Sequence, residues 1–167
     1  MGLFTRKQLE DLVVIDIETV SGHKDLKTLK KTNARLSELW SKRCEYLRKK
    51  HEDNKDLTDD EIYELKAGLQ AEFGKIVCIT VGYLRYNSDN MPIIKTKSYA
   101  GDDETELLSK FFTFMSQLQE QLPDSKITGH SIKRFDIPFI CKRGLIHGLT
   151  LPNILVVHDK KPWEMSL

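Results

Sequence analysis

The sequence predicts an α/β fold, a mixed β-sheet with helices packed on it. Three observations carry that prediction. Leu12 to Thr19 is a short apolar run rich in Val and Ile, the composition of a buried strand. Lys75 to Tyr86 and Pro92 to Tyr99 are β-forming stretches either side of the turn cluster Asn87-Ser88-Asp89-Asn90, and read as a hairpin. Strand-like and helix-like segments alternate beyond it, as in βαβ units. The order is β, two helices, β, β, α, β, α, β, which gives a sheet of mixed direction.

Each element has a local reason. After the first strand, Ser21 to Lys31 reads as a polar connection. A helix follows with Thr32 as N-cap, because Leu36, Leu39, Trp40, Cys44 and Leu47 fall near helical spacing. The next helix begins at a capping box, Thr58 with Glu61, and Leu57 with Ile62 can close a hydrophobic staple. Its expected buried stripe is Ile62, Leu65, Leu69 and Phe73, with Gly74 as the stop. These two helices read as an insertion over about residues 22–74, between strands of a single domain covering 1–167. After the hairpin, Asp103 and Glu106 cap a helix whose broad stripe includes Leu107, Leu108, Phe111, Phe114, Met115, Leu118 and Leu122, a packing pattern. Pro123-Asp124-Ser125 precedes a short strand, Lys126 to Gly129. His130-Ser131 leads into a helix from about Phe135 to His147, and Leu151 to Val157 reads as a last strand.

The totals narrow the class. The chain has 167 residues, 40% hydrophobic and 31% charged, which fits a globular protein with a real core. A net charge of +1 means that any nucleic-acid site must come from local clustering. Cys44, Cys78 and Cys141 are odd in number, without CxxC spacing, which argues against a disulfide framework or zinc site and fits a reducing cytoplasm. No apolar run reaches membrane-spanning length, and Met1 to Asp11 lacks a signal core. From Lys24 to Lys50 ten cations stand against Asp25, Glu38 and Glu45. That segment is either a solvated helix surface or a phosphate-facing one.

Two stretches carry chemistry. Asp16 and Glu18 lie two apart on the first strand, so both point to one face while Ile15 and Ile17 pack on the other. A like-charged pair at a strand end either faces water or holds a divalent cation. The second stretch, Gly129 to Phe139, places Asp136 at the start of a helix that follows a buried strand. A carboxylate there can cap the helix, yet ligands of α/β sheets also gather at such turns. Lys133 and Arg134 add positive charge, and Phe135 either packs or stacks on a base.

These stretches resemble a known family. Val14-Ile15-Asp16-Ile17-Glu18-Thr19, Phe73 to Ile79, Gly129 to Arg143 and the late Lys160-Lys161-Pro162-Trp163-Glu164 are similar to the DEDD 3′–5′ exonucleases of the ribonuclease H-like fold. More closely, they resemble bacterial proteins similar to the proofreading domain of family B DNA polymerases. The resemblance implies hydrolysis of phosphodiester bonds at 3′ ends of single-stranded DNA, with RNA as the alternative substrate. It implies two divalent ions, Mg²⁺ or Mn²⁺: Asp16 would bridge both, Glu18 would bind the water-activating one, and Asp136 would hold the second. Thr19, His130, Ser131, Lys133, Arg134 and Phe135 would meet the nucleic acid.

The chain departs from the family's pattern in two places. The family's third motif supplies a fourth carboxylate with a preceding Tyr or His, and no Tyr-x-x-x-Asp or His-x-x-x-x-Asp follows Asp136; Asp159 and Glu164 do not map there. Ser131 stands where the related motif usually has Asn. The expectation is therefore a C-terminally short domain with three ligands and weak or no activity alone. One sheet face would be partly uncovered, for a second copy or a partner to cover. A truncated chain and a natural short form kept for binding both remain open. The alternative from another class is a non-catalytic nucleic-acid-binding or assembly domain on the same scaffold.

Overall fold

A computed structural model describes residues 4–156. Val157, Asp159 and the Lys160–Glu164 stretch lie outside the described residues. The chain forms two compact units, one from Met1–Glu18 with Ile76–Leu167, the other Thr19–Lys75.

The first unit is built on a four-stranded sheet. The strands are β1 (Leu12–Ser21, which continues into the second unit), β2 (Gly74–Tyr86), β3 (Pro92–Ala100) and β4 (Lys126–Thr128), in the order β3-β2-β1-β4. β1 runs parallel to β4, with Leu12, Val13 and Val14 opposite Lys126, Ile127 and Thr128. β2 and β3 form the expected antiparallel hairpin, Cys78 opposite Ala100 and Tyr86 opposite Pro92. The sheet is therefore mixed. Alternation along β1 buries Val13, Ile15 and Ile17 and leaves Val14, Asp16 and Glu18 exposed.

Two helices belong with the buried face. Asp103 caps α5 (Glu104–Gln121) by accepting from the Glu106 amide, and Leu107, Leu108, Phe111, Phe112 and Met115 are buried. Phe114 and Leu118, read as core from the spacing, are only half-buried, and Phe112 takes the place they were given. α5 packs on β3, where Tyr99 and Phe111 meet edge to face at 5.8 Å. α6 (Asp136–Ile146) packs on α5; a Cβ at Gly144 would come within 2.8 Å of Phe112, so only glycine lets the two helices approach this closely. The buried Glu104 carboxylate ties the elements together by accepting from the Ile76 amide at 2.7 Å and from Arg143 and His147 of α6. Burial alone would push its pKa up, but the Arg143, Ile76 and His147 hydrogen bonds outweigh that and hold it low.

On the other sheet face, among the described residues, Val14 and Ile94 are exposed. Leu12, Val14, Gly82, Leu84 and Ile94 line an apolar hollow of about 430 Å³ that has Asp16 at its margin.

Two sequence expectations in this unit need correction. A short helix, α1 (Arg6–Glu10), precedes β1 and was not expected, although its capping box, Thr5 with Gln8, is present in the sequence. The expected last strand over Leu151–Val157 is instead a 3₁₀ turn at Asn153–Leu155. Pro152 fixes φ at −60°, and the Ile154 amide donates to the Gln119 side chain of α5 rather than to a ladder.

The second unit is helical: α2 (Leu26–Thr32), α3 (Ala34–Lys50) and α4 (Asp59–Lys66). Its core gathers Leu26, Leu29, Trp40, Cys44, Ile62, Tyr63 and Phe73, with Trp40 edge-on to Tyr63 at 5.1 Å and to Phe73 at 4.7 Å. The connection read as polar loop holds α2, capped by Asp25. Asn33, not Thr32, caps α3 by accepting from the Leu36 amide. The capping box at Thr58 and Glu61 is formed as read. α4, however, stops at Lys66 and continues as a 3₁₀ turn. The buried side of α4 runs through Ile62, Tyr63 and Ala67, which leaves Leu65 exposed, and Leu69 is exposed at the end of the 3₁₀ turn. Gly74 opens β2 rather than ending a helix.

The cysteines are free. Burial pushes the thiols of Cys44 and Cys141 up to about 12 and about 11, well away from reactive thiolates. Among the described residues no helix is long and apolar enough to cross a membrane.

Candidate active site

The site begins where β4 ends. β4 pairs with β1 only as far as Thr128 opposite Val14, so the β1 backbone beyond Val14 needs other partners on that edge. The chain after β4 supplies them. Gly129 passes so close that a Cβ there would lie 2.4 Å from the Ile15 carbonyl oxygen, a contact only glycine escapes. The chain then turns at Ser131, whose φ of 51° is left-handed, and the Ser131 carbonyl accepts from the amides of Arg134 and Phe135. Phe135 occupies the N-cap of α6 without a side-chain cap, and Asp136 is the first helical residue.

Asp136 does not act as an N-cap. Its Oδ1 reaches across to β1 and accepts from the Ile17 amide at 3.2 Å, in the stretch between Asp16 and Glu18. The side chain is only 4% exposed. Burial pushes its pKa up and the negative charge of Asp16 adds to that. The hydrogen bonds from its own and the Ile17 amides, and the positive charge of His130, work the other way without cancelling it. Asp16 and Asp136, 120 residues apart in sequence, are thus brought near one another as like charges where β1 runs on past the end of β4.

The remaining expected residues fall as follows. Glu18 shares the exposed face of β1 with Asp16. Thr19 is next along the strand and half-buried. His130, Ser131, Lys133 and Arg134 are exposed on the turn before α6. Phe135 is half-buried, its ring 5.4 Å from that of Phe139, so it packs while keeping an accessible side.

The expectation that three carboxylates converge is not met: among the described residues no three His, Cys, Asp or Glu side chains come together closely enough to hold a metal ion. Asp136 is turned onto the Ile17 amide, and the charge of Asp16 disfavours its ionised form. The donor chemistry still suits a hard cation, because carboxylate oxygens are its preferred ligands and a charge between Asp16 and Asp136 would relieve their repulsion. Sequence reasoning missed the Ile17 amide and Gly129. A glycine directly after a three-residue strand was the available signal for the second.

A mixed sheet with two carboxylates on β1, faced by a carboxylate that opens α6, is consistent with the ribonuclease H-like α/β fold. The sequence matches the DNA polymerase family B exonuclease domain over residues 7–157, and the chain belongs to that family of 3′–5′ exonuclease domains. No curated protein matches it. Domains of this family generally depend on divalent metal ions.

Proposed function

We propose that this chain hydrolyses phosphodiester bonds from the 3′ end of single-stranded DNA, using Mg²⁺ or Mn²⁺ held by Asp16, Glu18 and Asp136. The observation that carries the reading is the Asp136 hydrogen bond to the Ile17 amide. It spends a buried carboxylate, disfavoured by burial and by Asp16, on the stretch of β1 that already bears two acidic residues. Structural carboxylates are placed where charge is welcome, and functional ones are kept where it is not. Divalent ions there supply activation of water and stabilisation of charge on the scissile phosphate. The chain's own residues position the strand: Lys133 and Arg134 offer cations to phosphates, Phe135 offers a ring face to the terminal base, and Thr19, His130 and Ser131 offer hydrogen bonds.

A 5′-labelled single-stranded oligonucleotide incubated with Mn²⁺ tests this. The reading expects a ladder shortened one nucleotide at a time from the 3′ end, abolished by Asp16→Ala. Cleavage that survives Asp16→Ala would contradict it. A second reading, a non-catalytic nucleic-acid-binding domain, is favoured by the absence of a three-carboxylate cluster among the described residues. It expects salt-sensitive binding of the same oligonucleotide and no shortening with either metal.

A further inference from the structure

The basic segment of the second unit is sorted by the geometry of α3. Arg35, Leu39, Lys42, Tyr46 and Lys49 follow one another at spacings of four, three, four and three, so they form one line along the helix. The buried line, Ser37, Trp40, Cys44 and Leu47, lies on the opposite side. All five residues of the outer line are exposed, and Leu39 and Tyr46 are each 47% exposed, high for large apolar side chains. Among the described residues, Arg35, Lys42 and Lys49 have no carboxylate within ion-pair distance. Glu38 and Glu45 flank the line on one side only.

The other cations of α3 are used inside the unit. Arg48 is paired with Asp59 and bonds the Leu57 carbonyl, and Arg43 donates to Gln70 at 2.7 Å. Arg43 also stands 4.9 Å from the Tyr46 ring centroid, and the Lys50 ammonium stands 5.6 Å from it. These two contacts, from one turn before and one turn after, hold the ring on the outer line. The result is an aromatic face held between cations that, among the described residues, have no carboxylate within ion-pair distance, Glu38 and Glu45 lying one turn before Lys42 and Lys49.

We infer that this outer line of α3 is a binding surface for single-stranded nucleic acid, separate from the carboxylate site and resting on the exonuclease reading for its choice of ligand. Seven-residue steps place Arg35, Lys42 and Lys49 about 10.5 Å apart along the axis. That is close to three steps of a stacked strand at about 3.4 Å each, so the cations meet every third phosphate. Tyr46 and Leu39, between the cations, give bases a surface to stack or rest on. A purely electrostatic surface would not need the two exposed apolar residues, and a helix-docking seam would not be three-fifths cationic.

Fluorescence anisotropy with labelled oligo-dT and the full chain tests the inference. Removing three phosphate contacts in an Arg35→Gln/Lys42→Gln/Lys49→Gln variant should flatten the slope of log K against log salt by about 2, and weaken binding about 100-fold at 0.1 M salt. Tyr46→Ala, which keeps every charge of the line, should weaken binding about 5- to 150-fold with the slope unchanged. Glutamine is a good helix former, so circular dichroism should show the triple variant folded. Unchanged affinity and slope in the triple variant overturn the inference. So does preferential binding of this surface to an acidic helical peptide, or to vesicles of anionic lipid, over oligo-dT. Asp16→Ala separates the two readings: if it keeps oligo-dT binding and loses hydrolysis, both stand. If hydrolysis persists in Asp16→Ala, the exonuclease reading falls while the binding surface is judged by the triple variant alone.

Discussion

Asp136 can be removed in two ways with different consequences for stability. Asp136→Ala deletes the acceptor of the Ile17 amide, which β4 is too short to replace. An orphaned buried amide costs about 1–3 kcal/mol. For a chain of this size that lowers Tm by about 2–12 °C. Asp136→Asn keeps an oxygen in the same place and removes the charge. It loses the charge-assisted part of the bond, about 1 kcal/mol, but is relieved of the burial and of the Asp16 repulsion that raise the Asp136 pKa. It should therefore melt within a few degrees of wild type and well above Asp136→Ala. The pH dependence has a definite sign. A folded-state pKa above the unfolded one means the charged form weakens the fold, so wild type gains stability as pH falls through the folded value towards the ordinary carboxylate value. Asp136→Asn lacks that gain, and its advantage shrinks on acidification. Both variants should lose at least about 100-fold in nuclease activity if Asp136 is a metal ligand. Thermal melts by circular dichroism between pH 4 and 7 measure this. Equal Tm for the Ala and Asn variants would refute the claim that this side chain fastens α6 to β1.

Three further outcomes follow from the same geometry. Gly129→Ala should destabilise by about 1–3 kcal/mol or more, because its Cβ would meet the Ile15 backbone oxygen rather than a movable side chain; urea denaturation measures it. Ser131→Asn should stabilise by up to about 1 kcal/mol, since Asn adopts the left-handed backbone of this turn more readily than Ser, and Tm should rise accordingly. Glu104→Gln removes the charge facing the buried Arg143 and should cost about 3–5 kcal/mol at pH 7. Because the Glu104 pKa is depressed in the fold, wild-type stability from this group is present above its ordinary value and lost as pH falls through the folded one; the Gln variant should show a shallower acid loss in urea titrations from pH 3 to 7.

The parts of the fold legible in the sequence were those whose signal is periodic and local. Alternation in Leu12–Thr19 placed Asp16 and Glu18 on one face, the turn cluster at 87–90 marked the hairpin, and capping residues at Thr58 and Asp103 fixed two helix starts. Short elements were harder. α2 has seven residues, five of them Lys or Thr beside its two buried leucines, so its composition reads as loop until Leu26 and Leu29 find the core around Trp40. The stripe through Leu65 and Leu69 failed because Tyr63 and Ala67, not the larger aliphatic residues, complete the buried side with Ile62, and the switch to 3₁₀ winding at Ala67 carries no apolar signature. At the site, the sequence left Asp136 as either a cap or a ligand. Only the three-dimensional path of Gly129–Phe135 takes the carboxylate off its own helix and onto β1. The spacing of Trp40, Cys44 and Leu47 gave the buried side of α3 correctly, but Leu39, read with them, is exposed, and that orientation turns the six cations of α3 into one exposed row and a set of internal contacts.

The central claim is that Asp16 and Asp136 form the metal-holding pair of an exonuclease centre. Anomalous diffraction from crystals soaked in Mn²⁺ tests it most directly. Manganese density should be bonded to carboxylate oxygens of both Asp16 and Asp136, with Glu18 drawn in as a third ligand and the density lost in Asp136→Asn. Saturating manganese that leaves these carboxylates without bonded density, or that binds equally well in Asp136→Asn, would contradict it.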